Sequence, residues 1–534
     1  MSLRRYFGER LTSADTAWLH MDSPTNLAVV TGVITFREPL DLSELSEVIE
    51  KRLLRYPRFR QRVMEPPVGL PRWVYARDFD LNDHLFSISL PEPADHETLQ
   101  KMVSEMISIP LDMSKPLWEL HYINNYRSGG ALICRFHHCI ADGIALVQIL
   151  LSTAEEDTEL PEFATMDDLF SGLSPLARIF VPMVVTTRIL KERVQETRDM
   201  FRSGLQTITS PRRMARVAGI GVAGGLALGK LLLLPPDHKT LLRGQCGIPK
   251  KAAWSKKISV DEVKRISDQS GGTINDILLS AMTGALRRYL QDRGELVEGL
   301  NIHAIVPVNL RPPGDITMMG NQFGLVFLSL PVGVADPLTR LKVLKARMDA
   351  IKNTPEAVVA FGILTAMGIS PERIEDMIRD IFGKKGSLVV TNVPGPRRAL
   401  SLAGGQIEEL MFWVPTPANL SLGVSIISYA GDFLVGVSSD AGLIPEPERV
   451  LDMFYEEFDS LKGSYSLVEE TKPAAEMEQD PGEDAVVRES SNVEQPPSVE
   501  ARRSAQCKAK TLKGTRCRNP AIQGSEFCHV HSPE

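Results

Sequence analysis

Cysteine is scarce in this chain of 534 residues. Cys134, Cys139 and Cys246 are scattered, while Cys507, Cys517 and Cys528 crowd the C-terminal end. A disulfide framework would be spread more evenly, so that class is excluded and reduced thiols are expected. An excess of either charge sign is also lacking. The formal net charge is −7, but residues 469–500 hold ten acids and two bases and residues 501–534 hold seven bases and two acids, which leaves −4 on residues 1–468. So small an imbalance exerts no global pull on nucleic acid, and an anionic partner must be met by a local patch. The opening stretch MSLRRYFGERLTSADTAW contains no continuous apolar run fit to be a secretory signal, and a cytoplasmic protein is expected.

What is present is enough apolar material, 43% of residues, to fill ordinary globular cores. LAVVTGVITF at 27–36 reads as a strand, and Leu45, Val48, Ile49, Leu53 and Leu54 follow at helical spacing. LICRFHH is again strand-like, and Ile144, Leu146, Val147, Ile149 and Leu150 continue as one helical face. A second half repeats this style. SVDE at 259–262 reads as a capping box, INDILLSAMTGALRRYL as a helix, and strands are expected at 302–308, 324–332, 387–391 and 421–438, the last as a hairpin around Ala430, Gly431 and Asp432. The pattern predicts an α+β fold of two halves of about 200 residues each. The expected boundaries are a first domain over 1–182, a basic and apolar linker over 183–248, a second domain over 249–461, an acidic disordered linker over 462–506 and a small module over 507–534. Within the first linker, the Gly-rich run from Val217 to Leu234 is broken only by Lys230. It reads as a buried connection, as a face that dips into a lipid surface beside Arg212, Arg213 and Arg216, or, despite five glycines and the internal lysine, as a transmembrane span.

Histidine is sparse too, yet His137 and His138 stand side by side at a strand end, four residues before Asp142 and Gly143. Successive strand side chains point to opposite faces, so the two cannot easily grip one metal ion. One can face a cavity while the other is held inside. A neutral imidazole facing a cavity suits general-base work, because its ordinary pKa of about 6.5 lies near working pH.

HHCIADG at 137–143 matches the HHxxxDG signature of CoA-dependent acyltransferases. With Pro116-Leu117-Trp118, Asn275-Asp276, VPVNLRPPGD, GNQFG and TNVPGP, the chain resembles the bacterial wax ester synthase/diacylglycerol acyltransferase family over roughly residues 10–460. The resemblance implies two chloramphenicol-acetyltransferase-like domains around a channel. Its implied substrates are acyl-CoA and either diacylglycerol or a long-chain fatty alcohol, with no catalytic cofactor. It implies His138 as general base, His137 as a supporting residue, Asp142 as a structural one and Gly143 as the residue that allows the turn into the helix. Asn275 is the candidate oxyanion donor, although Asn275 and Asp276 also read simply as first-turn helix residues. Pro116, Leu117 and Trp118, with Asp276, are candidate substrate contacts or packing. Lys384 and Lys385 are candidates for CoA phosphates. Peripheral contact with a membrane or lipid inclusion is expected. A non-catalytic lipid-binding protein and a condensation enzyme using carrier-bound acyl groups stay open as alternatives.

At the C-terminus, Cys507, Cys517, Cys528 and His531 form a donor set suited to one structural Zn²⁺, with His529 as a competing ligand. No catalysis is assigned to that module.

Overall fold

The computed structural model describes residues 8–67, 69–154, 229–231, 233–310, 319–352, 354–368 and 383–470, with single positions at 370, 376 and 379–380. Its strands are β1 (Glu9–Arg10), β2 (Val29–Phe36), β3 (Gln61–Met64), β4 (Arg72–Tyr75), β5 (Leu85–Ile88), β6 (Trp118–Tyr126), β7 (Gly129–His137), β8 (Lys250–Trp254), β9 (Ile258–Ser259), β10 (Ile302–Asn309), β11 (Phe323–Leu330), β12 (Leu388–Val393), β13 (Ser401–Leu402), β14 (Gly405–Trp413), β15 (Leu422–Tyr429) and β16 (Asp432–Asp440). The helices are α1 (Ser13–His20), α2 (Leu42–Val48), α3 (His96–Ile107), α4 (Gly143–Ser152), α5 (Val260–Ser270), α6 (Ile274–Asp292), α7 (Pro337–Lys352), α8 (Glu356–Met367) and α9 (Pro447–Glu470).

These elements form three sheets, with strand orders β13-β14-β2-β7-β6-β5, β11-β10-β12-β15-β16-β8 and β1-β4-β3, and with β9 paired to β16. β7 lies in the middle of the first sheet and all nine of its residues are buried. Covered on both faces, it reads in sequence as a continuous apolar run with no alternation. α6 is enclosed in the same way, every residue from Asp276 to Arg287 being buried. The first sheet is not built from the first half alone. β14 pairs antiparallel with β2 from Trp413↔Thr31 to Ile407↔Phe36, so residues 401–413 complete the sheet that carries the histidines.

Local chemistry explains the helix starts, with one departure from the sequence reading. Ser259 is the N-cap of α5, but its side chain makes no capping bond. The reciprocal box forms instead at Thr273, whose side chain accepts from the Asp276 N–H while the Asp276 carboxylate accepts from the Thr273 N–H at 2.8 Å. Asp276 is thereby committed to the helix start.

α8 packs on β11 with almost no clearance. A Cβ placed at Gly324 would lie 1.8 Å from the Ala357 carbonyl oxygen. Gly324→Ala is therefore expected to lever α8 off the sheet and destabilise the protein by about 1–3 kcal/mol or more, the usual cost of overpacking. Urea unfolding of the two proteins measures this, and an unchanged midpoint would contradict the packing described.

Part of the Gly-rich linker falls among the described residues. Leu231 is buried with Ile305, Phe327 and Val389, Lys230 pairs with the buried Glu356, and the Lys385 ammonium donates to the Leu231 carbonyl. Residues 217–228 lie outside the described residues, as does the whole second compact unit, 473–534. Among the described residues, no helix is long and apolar enough to cross a membrane.

Candidate active site

β7 ends at His137, and the chain turns through Cys139–Ala141 into α4, whose N-cap is Asp142. This brief crossing of the two histidines from strand to turn splits their fates. His137 is sealed: its Nδ1 accepts the Cys139 N–H at 3.1 Å, and its Nε2 is buried with no hydrogen bond, 3.9 Å from Asp22 Oδ2. His138 instead lines an apolar cavity together with Trp18, Gly143, Asn275, Phe323 and Asn392.

Four contacts hold His138, three of them to its ring. Its backbone N–H donates to the Ala28 carbonyl at 2.7 Å. Trp18 stacks on it, with ring centroids 3.9 Å apart and planes 16° from parallel, and Phe323 sits tilted at 5.7 Å. Nδ1 lies 2.8 Å from Asn321 Oδ1. The Asn321 amide cannot be turned over, because its Nδ2 already donates to Asp15 Oδ1 at 2.9 Å and to the His138 carbonyl at 2.8 Å. Oδ1 therefore accepts, Nδ1 carries the proton, and Nε2 keeps its lone pair. Asp15 is fixed in turn. It is fully buried, accepts the Asn321 backbone N–H at 3.0 Å and pairs with Arg58 at 3.1 Å. Arg58 also donates to the Ile140 carbonyl, closing the loop around the histidines.

Burial pushes the His138 pKa down to about 4, against the opposing pull of Asp142 and the Asn321 hydrogen bond. The ring is consequently neutral at physiological pH.

Asp142 serves two loops at once. Oδ1 accepts the Ala145 N–H at 3.1 Å, capping α4, and Oδ2 accepts the Gln322 N–H at 3.2 Å, tying the histidine turn to the stretch that carries Asn321. Gly143 was expected to permit a tight turn. It adopts no left-handed backbone, and a Cβ there would meet nothing within 4 Å. Its hydrogen leaves open the cavity wall where a side chain would project.

Asn275, at the start of α6, reaches the same cavity. Its Oδ1 accepts from Asn392 Nδ2 across the cavity wall, and its own amide hydrogens have no acceptor among the described residues. Asp276, Pro116, Leu117 and Trp118 do not line the cavity. Leu117 and Trp118 are fully buried; the Leu117 carbonyl accepts the His137 N–H at 3.0 Å and Trp118 Nε1 donates to the Phe59 carbonyl at 2.9 Å. They pack the strand end that presents the histidines instead of touching the cavity. Lys384 is exposed, whereas Lys385 is buried on the Leu231 carbonyl and is not placed to meet a phosphate. Cys507, Cys517, Cys528 and His531 lie outside the described residues. Among the described residues, no group of three or more acidic, Cys or His side chains could hold a metal.

Four site residues had no assigned role in the sequence reading: Asp15, Trp18, Asn321 and Asn392. Asn321 and Asn392 fall inside GNQFG and TNVPGP, which resemble family stretches but announce no chemistry. Nothing local marks Asp15 or Trp18.

Residues 11–278 match the wax ester synthase/diacylglycerol acyltransferase catalytic domain, and residues 319–462 match the WS/DGAT C-terminal domain. The Mycobacterium tuberculosis protein named "Probable diacyglycerol O-acyltransferase tgs1" is 26% identical over 449 residues, covering 82% of this chain and 92% of its own. The one named tgs2 is 25% identical over 450 residues, covering 82% and 95%. Among solved structures, the wax ester synthase/diacylglycerol acyltransferase from Marinobacter aquaeolei VT8 shares the fold with a TM-score of 0.58 at 19% identity, covering 86% of this chain and 100% of that one. The first condensation domain of the calcium-dependent antibiotic synthetase does so with a TM-score of 0.54 at 14% identity, covering 88% and 98%. With the catalytic-domain match alone spanning half of its length, this chain belongs to the wax ester synthase/diacylglycerol acyltransferase family.

Proposed function

We propose that the protein transfers a long-chain acyl group from acyl-CoA to the hydroxyl of diacylglycerol or a long-chain fatty alcohol, with His138 as general base. The observation that carries this reading is the neutral His138 ring, with its Nδ1 engaged by Asn321, among the residues lining an apolar cavity in a chain of this family. In the proposed reaction Nε2 takes the acceptor's hydroxyl proton as that oxygen attacks the thioester carbonyl. The tetrahedral intermediate then collapses, the C–S bond breaks, and the proton passes from Nε2 to the departing CoA sulfur. No acyl-enzyme is formed. Asn275 is proposed to donate its amide hydrogens to the oxyanion, a type of contact whose loss typically costs about 10²- to 10³-fold. An apolar lining favours long chains, at about 0.8 kcal/mol per buried CH₂.

The same reading takes the two halves as acyltransferase domains meeting around the cavity, and takes the protein to work in peripheral contact with a membrane or lipid inclusion, since both acceptor classes are insoluble in water. It also keeps one structural Zn²⁺ on Cys507, Cys517, Cys528 and His531. Metal analysis of protein cut near residue 500 tests that last point, with zinc expected to leave with the tail.

The central test is a substrate panel. Purified protein given palmitoyl-CoA with hexadecanol or with diacylglycerol should release free CoA thiol and form ester. Acyl-CoA binding without thiol release would favour the non-catalytic alternative, and turnover only with a thioesterified carrier protein would favour the condensation alternative.

A pH dependence follows with a definite sign. The base works only when neutral, and it is neutral above its pKa, so acidification removes activity. Because burial places that pKa at about 4, kcat/KM should stay level well below the ordinary imidazole value of 6.5 and fall only as pH approaches 4. An acid limb centred near 6.5, in protein that remains folded by circular dichroism, would contradict the buried neutral ring.

A further inference from the structure

Residues 52–77 hold seven arginines, Arg52, Arg55, Arg58, Arg60, Arg62, Arg72 and Arg77, and a single acid, Glu65. In a chain of formal charge −7 this is a concentrated exception. The fold turns much of it to one side. In the small sheet, Arg10 of β1 lies opposite Arg72 of β4, which lies opposite Met64 of β3, and Val74 lies opposite Arg62 in the next row. Strand alternation puts those five side chains on one face, while Val63 and Trp73 of the other face are buried in the first core. Arg60, in the turn immediately before β3, is exposed beside this sheet. Glu9 pairs with Trp73 and so alternates away from that face, with its side chain exposed, and Glu65 sits in the connecting turn beside Pro66 and Pro67.

The outward face is both cationic and partly apolar. Met64 is 37% exposed, Val74 is half-buried and Pro67 is exposed. Arg10, Arg55, Arg60 and Arg77 are exposed, and neither they nor Arg62 has a carboxylate in ion-pair range among the described residues. Solvated surface arginines are usually interspersed with acids; here they are interspersed with Met, Val and Pro. A compact anion would use the charges and leave the apolar groups in water. A layer of anionic headgroups over hydrocarbon uses both.

We propose that the outer face of the β1-β4-β3 sheet, with its Pro66–Pro67 turn, is the surface on which the protein docks to an anionic phospholipid bilayer. The inference deepens the acyltransferase reading and rests on it, because both acceptor classes reside in such a phase. The same segment supplies Arg58, whose contacts with Asp15 and the Ile140 carbonyl link the docking surface to the histidine turn.

The test is co-sedimentation of the full chain with vesicles of phosphatidylcholine alone or of equal parts phosphatidylcholine and phosphatidylglycerol. Partition should require phosphatidylglycerol and should fall steeply with added salt. Neutralising one arginine near the surface should weaken partition about fivefold, corresponding to about 1 kcal/mol. The triple variant Arg10→Gln, Arg60→Gln, Arg62→Gln should therefore bind about a hundredfold less, and Met64→Ser should also weaken binding. The corresponding triple lysine variant should bind like the parent, which separates charge from misfolding. Thiol release from acyl-CoA with detergent-dispersed acceptor should be unchanged in all of them, and this assay on the parent protein tests the underlying reaction separately. The proposal is overturned if the triple glutamine variant partitions like the parent, or if the parent binds phosphatidylcholine vesicles equally well. It is also overturned if the variant raises KM for acyl-CoA without altering partition, which would assign the arginines to CoA phosphates. Retention by a DNA duplex with no vesicle partition would overturn it as well.

Discussion

Replacing His138 by alanine is expected to lower kcat for thiol release by about 10²- to 10⁴-fold, the usual contribution of a positioned general base. The expectation follows from what else could take the proton. Among the side chains lining the cavity, Asp142 is committed through both oxygens to the Ala145 and Gln322 amides, and Asn275 and Asn392 are not bases. The ring also supplies the stacking partner of Trp18 and the donor to Asn321, so some loss of stability accompanies the substitution. The measurement is therefore steady-state kinetics on protein whose folding is confirmed separately. His137→Ala provides the contrast. His137 makes its contacts inside the protein, and its removal should appear mainly as a lower unfolding midpoint. Full activity in folded His138→Ala protein would end the case for this histidine as the base.

Asn321→Ala should give the second largest effect, about 10²- to 10⁴-fold in kcat with KM for acyl-CoA little changed. Asn321 touches no substrate in the proposed reaction; it is a positioning residue that selects the tautomer. Without an acceptor at Nδ1, the proton is free to sit on Nε2, where it abolishes the base; loss of the correct tautomer costs about 10⁴-fold in a serine protease. A second readout separates this role from simple packing. The Asn321 hydrogen bond favours the protonated ring and so raises the His138 pKa. Its removal should move the acid limb of kcat/KM to lower pH, whereas a merely structural defect would scale the profile without moving it. An unmoved limb with undiminished kcat would show that the tautomer is set by something other than Asn321.

The element types were legible because their periodicities were. β2, β7, β10, β11, β12 and the β15–β16 hairpin fall where β-branched and apolar runs placed strands, and α4 and α6 fall where apolar residues recur at helical spacing. The capping box was misplaced by a local ambiguity. SVDE at 259–262 and TIND at 273–276 each put a hydroxyl three residues before an acid, and only the packed structure chooses the second. The membership of β14 in the first sheet was illegible for another reason: its partner β2 lies more than three hundred residues earlier in the chain, and no local pattern encodes a pairing at that distance.

From the sequence alone came the histidine pair at a strand end, the Asp-Gly that follows it, the α+β character and the family resemblance, all carried by residues close together along the chain. Tertiary structure decided which histidine faces the cavity, which nitrogen keeps the lone pair, and that Asp15, Asn321 and Arg58 hold it there. Those groups come from three separate segments, and the hydrogen-bond geometry that selects one tautomer exists only once folding has brought His138 to Asn321, Asn321 to Asp15 and Asp15 to Arg58, each link 3.1 Å or less.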